Sequence, residues 1–189
     1  SSTENQWDED SLGTYSAATG FNTKATGENS TATGYMTTAS GISSTASGSQ
    51  TKASGRNSLA TGRTTEASGT SSTAMGENST SSGNAATATG QNTVASGDYS
   101  FATGYSSTAT GNSSVSVGYR SDASGGYSIA GGRESESSGS NSIAMGYKDT
   151  ASSINSVALG NEAAAHGDGA VAIGTKTKAT GGFSNASGT

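Results

Sequence analysis

Large apolar side chains are sparse along this chain, and in its second half they come as pairs separated by one residue: Val115 and Val117, Ile143 and Met145, Val157 and Leu159, Val171 and Ile173. Between the two members stands a small residue, Ser116, Ala144, Ala158 or Ala172, and each pair ends one residue before a glycine. Alternation with a period of two is the signature of a strand with two unlike faces. The glycines set the frame: from Gly13 to Gly188 they fall every seven residues at 25 of 26 positions, with Ser153 the exception. From Gly20 onward the residue two before each of these positions is Ala, or Ser at Ser81, Ser116 and Ser137. The spacing predicts a short strand over the five residues ending at each glycine. The glycine and the residue after it then make a corner, where positive φ carries no Cβ clash.

Comparing alternate heptads doubles the period. Three residues before glycine, one set of heptads is uncharged and holds Leu59, Phe101, Val115, Ile129, Ile143, Val157 and Val171; the other set carries Lys24, Lys52, Glu66, Asp122, Glu136 and Lys178. A five-residue strand cannot shield itself from water, so equivalent strands of successive coils must stack. The expected fold is all-β: a parallel β-roll with fourteen residues per coil and two short strands per coil. The columns four and two residues before glycine, Ser or Thr and then Ala, point to one side in both sheets and form the interior. Of the two outer faces one is polar. The other carries a stripe of Leu59, Phe101, Val115, Val117, Ile129, Ile143, Met145, Val157, Leu159, Val171 and Ile173. A contiguous apolar stripe is not left in water, so it is expected to be a protein interface. Because every coil repeats the same surface, the natural partner is another copy of the chain in closed symmetry about an axis along the stripe. An even number of chains or three satisfies this equally.

Composition narrows the function. The 189 residues are 29% hydrophobic and 12% charged, a bias towards Ser, Thr, Ala and Gly that usually means disorder. Disorder, however, imposes no spacing, and a strict period marks a solenoid. A net charge of −5 with no basic run gives no footprint for nucleic acid. The absence of cysteine removes disulfides and thiolate metal sites, and no apolar run is long enough to span a membrane. His166 is the only histidine, so a His dyad or His-based metal site lacks its second imidazole. There is no G-x-S-x-G elbow followed by an acid and a histidine, and no G-G-x-G-x-D calcium repeat. No cofactor and no enzymatic activity are expected. Residues 1–13, with Trp7 and the acids Asp8, Glu9 and Asp10, precede the heptads and are expected to be a cap or an incomplete first coil. Residues 14–189 are expected to be the roll, a fragment of something longer.

The phrases NSIAMG at 141–146, NSVALG at 155–160 and AVAIG at 170–174, with the S-x-A-x-G heptads between them, resemble the head repeats of trimeric autotransporter adhesins. The resemblance covers residues 14–189 and includes both periods. It implies a left-handed parallel β-roll assembled as a parallel homotrimer. It further implies display on the outer surface of a Gram-negative bacterium by a stalk and an outer-membrane anchor that this stretch lacks. In that family the aliphatic pairs face the trimer axis, which carries over to Val115, Val117, Ile143, Met145, Val157, Leu159, Val171 and Ile173. Thr31, Thr45, Thr73 and Thr87 replace them in the first half and imply a wetter axis there. The implied function is attachment to an extracellular-matrix protein or cell-surface receptor of a host through many equivalent contacts. The alternative is an ice- or lattice-binding solenoid, whose Thr array would use the polar face at Thr108 and Thr110.

Two further features stand out. Tyr105, Tyr119, Arg133 and Tyr147 each follow a glycine at fourteen-residue spacing, so stacking should align them as one edge and a possible ligand contact. In residues 147–155 the lost glycine at Ser153 meets the one interior charge, Asp149. A strained, rebuilt corner is expected there, with the Asp149 carboxylate turned to cap backbone amides.

Overall fold

The computed structural model describes residues 12–188; Trp7 and the acidic cluster lie outside them. The chain divides into two compact units, Ser1–Asn92 and Thr93–Thr189, each built from the same coil. In the first unit the long strands Ala17–Phe21, Thr31–Tyr35, Thr45–Ser49, Leu59–Arg63, Thr73–Glu77 and Thr87–Gln91 pair in that order as a parallel sheet. Two-residue strands, Lys24–Ala25 to Thr80–Ser81, make its second sheet. In the second unit the long strands run from Phe101–Tyr105 to Asn185–Gly188 and the short ones from Val94–Ala95 to Lys178–Ala179. Register is fixed at fourteen residues, as in Val115 beside Ile129 and Ala144 beside Ala158. No helix occurs among the described residues. This is the expected all-β solenoid with its fourteen-residue coil. At the N-terminal end Leu12 makes a lone parallel bridge to Ala25 and packs on the Ala column.

The interior is as the columns require. Ala32, Ala39, Ala46 and Ala53 in one unit, and Ala144, Ala151, Ala158 and Ala165 in the other, have no exposed surface. The Ser and Thr column beside them is equally buried, from Thr23 and Ser30 to Ser142 and Ser156. Several of these hydroxyls donate to corner carbonyls, among them Ser107 to Gly118 O at 2.7 Å and Ser142 to Gly139 O at 2.6 Å. Burying a hydroxyl without such a bond is costly. The apolar contribution per residue is small for Ala, so cohesion rests on many short contacts and on the backbone ladders between coils.

Two expectations about local structure are corrected. The strands of a coil are unequal: the long ones start three residues before glycine and run one residue past it, whereas the short ones stop at Ala. The grid glycine has the expected positive φ only in the long strands, and the corner residue that is left-handed in both kinds of heptad is the one two after it. It has φ between 51° and 59° wherever it is not glycine, at residues as different as Asn29, Met36, Ala85, Arg120 and Tyr127. Glycine is needed in both kinds of heptad for a further reason. At Gly111, whose φ is not positive, an added Cβ would collide with the carbonyl oxygen and carbon of Gly125 in the next coil. At Gly34 (φ 121°) the same collision, with Gly48, is added to an unfavourable φ. Stacked corners touch backbone to backbone and leave no room for a side chain.

The two requirements are separable by mutation. Gly111→Ala is expected to destabilise by about 1–3 kcal/mol, as over-packing does. Ala85→Gly, which relieves a left-handed alanine at an exposed corner, is expected to stabilise by about 1 kcal/mol. Equilibrium denaturation of the two variants measures both; effects of the same sign would contradict the separation.

Candidate interaction surface

In a strand alternate side chains leave the same face, so the first, third and fifth residues of each long strand point outward. In the second unit the first position holds Phe101, Val115, Ile129, Ile143, Val157, Val171 and finally Asn185, and the third holds Thr103, Val117, Gly131, Met145, Leu159, Ile173 and finally Ser187. Met145 is 49% exposed, Ile173 44% and Val117 42%, a large share for aliphatic side chains in one patch. Phe101 and Ile129 are also exposed, and Val115, Ile143, Val157, Leu159 and Val171 are half-buried by their neighbours above and below. Gly131 leaves a gap in the third column that Met145 fills: a Cβ at 131 would stand 3.4 Å from Met145 Cγ and Cε. The first unit carries no such face. Its outward positions are mostly Thr, with Leu59 half-buried between Thr45 and Thr73.

The fifth position builds the expected edge. Tyr105 and Tyr119 stack with centroids 5.1 Å apart and planes 8° from parallel. The Arg133 guanidinium lies 5.6 Å from the Tyr119 ring centre and 5.4 Å from that of Tyr147. Arg120 and Lys148, at left-handed corners, add cations over Tyr119 and Tyr147, each 5.3 Å from the centroid. Register alone aligns these side chains, and a cation between two ring faces is attracted by both quadrupoles. In the first unit Phe21 and Tyr35 repeat the arrangement at 5.3 Å.

The polar outer face does not form the Thr array that a lattice binder would need. Thr108 lies in a two-residue strand and Thr110 falls beyond its end. Lys52 and Glu66 pair along this face at 3.1 Å. Among the described residues no group of three or more potential metal ligands exists. His166 sits exposed at a corner, its Nδ1 2.8 Å from Ser152 Oγ, without an acid to orient it into a triad.

The model of the YadA head domain repeat matches residues 11–35, 39–64, 67–93, 95–121, 123–148 and 151–177. The chain belongs to the YadA head family. The matched stretches cover most of the chain and take in both units. No curated protein matches it. YadA heads are adhesin domains of trimeric autotransporters, which places this chain among bacterial surface adhesins rather than any known enzyme family.

The corner expected to be rebuilt is regular in this YadA head: Thr150–Ala151 keeps the fourteen-residue register and Lys148 and Asn155 keep the usual left-handed φ, while the expected carboxylate cap is present. Asp149 is fully buried, and its Oδ2 and Oδ1 accept the backbone N–H groups of Gly160 at 2.6 Å and Ala163 at 2.8 Å. The serines of this column donate to the corresponding glycine carbonyl, as Ser121 does to Gly132 O and Ser135 to Gly146 O, whereas the hydroxyls of Thr23, Thr37, Thr51 and Thr65 make no such bond. Asp149 therefore reverses the polarity of the bond. Ser153 does not have positive φ, so the expected backbone strain is absent. Its N–H meets Ser156 Oγ at 3.3 Å and its hydroxyl donates to His166 O at 2.5 Å.

Burial raises the Asp149 pKa above the usual carboxylate value, while the Ala163 and Gly160 amides pull it partly back. A folded-state pKa above the unfolded one means the folded state holds the proton more tightly. Stability is then lost as pH rises from the unfolded pKa through the folded one. Asp149→Ser is expected to raise the melting temperature at pH 7, by a few degrees if about 1 kcal/mol is regained, and to change it little near pH 3. Equal shifts at both pH values would contradict this.

Proposed function

We propose that this head domain is a homotrimer that attaches a Gram-negative bacterium to host extracellular-matrix protein or a cell-surface receptor by multivalent, non-catalytic contacts. The observation that carries the reading is the aliphatic face of the second unit in a chain of the YadA head family. Three copies around an axis bury Phe101, Val115, Val117, Ile129, Ile143, Met145, Val157, Leu159, Val171 and Ile173 together. Leu59 makes the corresponding contact in the Thr-rich unit, where the axis stays more polar. Surfaces away from the axis remain for the ligand: the charged short-strand sheet, and the corner where Tyr99 and Tyr127 are 67% and 66% exposed. Each contact there is weak, and three copies of every coil supply strength through effective concentration.

Sedimentation equilibrium of the intact chain and of two charge variants tests the assembly. The parent and Lys178→Asp are expected to be trimeric at micromolar concentration. Val157→Asp is expected to dissociate or unfold, because an unpaired carboxylate buried in the interface costs several kcal/mol. A parent monomer would overturn the trimer. Binding to immobilised collagen, fibronectin and laminin is expected for the parent on at least one surface and weaker by tenfold or more for Val157→Asp. No binding to any of the three by the parent would count against matrix attachment.

A further inference from the structure

We infer that the ladder of Tyr105, Tyr119, Arg133 and Tyr147 is not a free edge for a host ligand. It is the seam on which a second copy of this chain closes, packed against that copy's column of Phe101, Val115, Ile129 and Ile143. The inference rests on the trimeric reading above and adds which side chains join one protomer to the next.

The first support is position. Tyr105, Tyr119, Arg133 and Tyr147 are the fifth residues of long strands whose first residues are Phe101, Val115, Ile129 and Ile143. All leave the outer face of one sheet, so the ladder is the rim of the aliphatic face, continuous with it. Second, most of the ring faces are already occupied. Tyr105 lies on Tyr119, and Arg133 lies between Tyr119 and Tyr147. A flat ligand such as a sugar ring finds most of the ladder's π-faces already covered. The ladder offers ring edges and phenol hydroxyls, an apolar body with a polar tip suited to a protein interface. Third, part of its charge is paired within the chain. Arg133 Nε is 3.4 Å and Lys148 Nζ 3.7 Å from the Glu134 carboxylate, which lowers the cost of covering the cations.

Rotational closure supplies the partner. About a threefold axis every contact is heterologous, one side of a patch meeting the other side of the next copy's patch. A face three columns wide therefore sets its fifth-position column against the neighbour's first-position column. The opposite corner differs in kind: Tyr99 and Tyr127 are about two-thirds exposed, against 39% for Tyr105 and Tyr119.

The chain has no cysteine, so the seam can be cross-linked without background. Residues 115 and 119 are the two ends of one strand, about 13 Å apart. That is beyond the reach of a disulfide within a chain. In the full chain carrying Val115→Cys and Tyr119→Cys, sedimentation equilibrium is run reduced, and oxidation is then read on a non-reducing gel. The expected result is a trimer that becomes a covalently closed trimer, with Ile129→Cys replacing Val115→Cys if the copies are offset by one coil. Tyr119→Cys alone is expected to react with a maleimide at least tenfold more slowly than Tyr99→Cys. A trimer in which neither pair cross-links and the two single cysteines label equally would overturn the seam and leave the trimer standing. A monomer would overturn both.

Discussion

The structure depends on backbone meeting backbone at the corners. Each coil is laid on the previous one in register at fourteen residues, and at one residue in every seven the next coil's carbonyl occupies the place a Cβ would take. Only glycine satisfies that without rearrangement, which is why the glycine grid extends through both kinds of heptad although φ is positive in only one of them. The left-handed turn itself is carried by the residue two further on, where many side chains occur. A few tenths to about 1 kcal/mol of backbone strain per corner is tolerated there because the side chain points into solvent and nothing competes for the space.

Close stacking has two consequences that reach function. It turns each position of the coil into a column, so a chemical choice made once per coil becomes a stripe or ladder. The aliphatic face, the Tyr–Arg ladder and the Lys52–Glu66 pair are all products of residue i lying beside residue i+14. It also fills the interior with Ala, Ser and Thr, leaving the large side chains outside. The fold buries little apolar surface within one chain and presents much of it on one face. The proposed trimer would cover that face of the second unit.

Most of the architecture was legible because columns with a fixed period leave no ambiguity about what lies beside what. The interior Ala and Ser/Thr columns, the outward aliphatic pairs, the alignment of Tyr105 with Tyr147 and the amide-capping role of Asp149 all follow from counting. Three features did not. Both heptads read S-x-A-x-G, and the third position before glycine separates their outer faces without revealing that one strand is five residues long and the other two. The left-handed position holds Asn at seven of its 24 non-glycine places, the mark such backbone leaves, but it also accepts Ser, Arg, Met and Tyr, and the glycine nearby obscures the signal. Ser153 looked strained for the same reason, whereas its backbone is ordinary and its hydroxyl finds the His166 carbonyl.

The central claim is that an interior of small side chains, closed by touching corners, holds the coils together. Ala144 lies in that interior with no exposed surface, between the Ala130 and Ala158 of adjacent coils. Thermal unfolding of Ala144→Leu tests the claim most directly. Three added carbons have no space there, and over-packing of about 1–3 kcal/mol should lower the melting temperature by several degrees for a chain of this length. A melting temperature equal to that of the parent would show that the Ala column is not a tightly packed interior and would contradict the account.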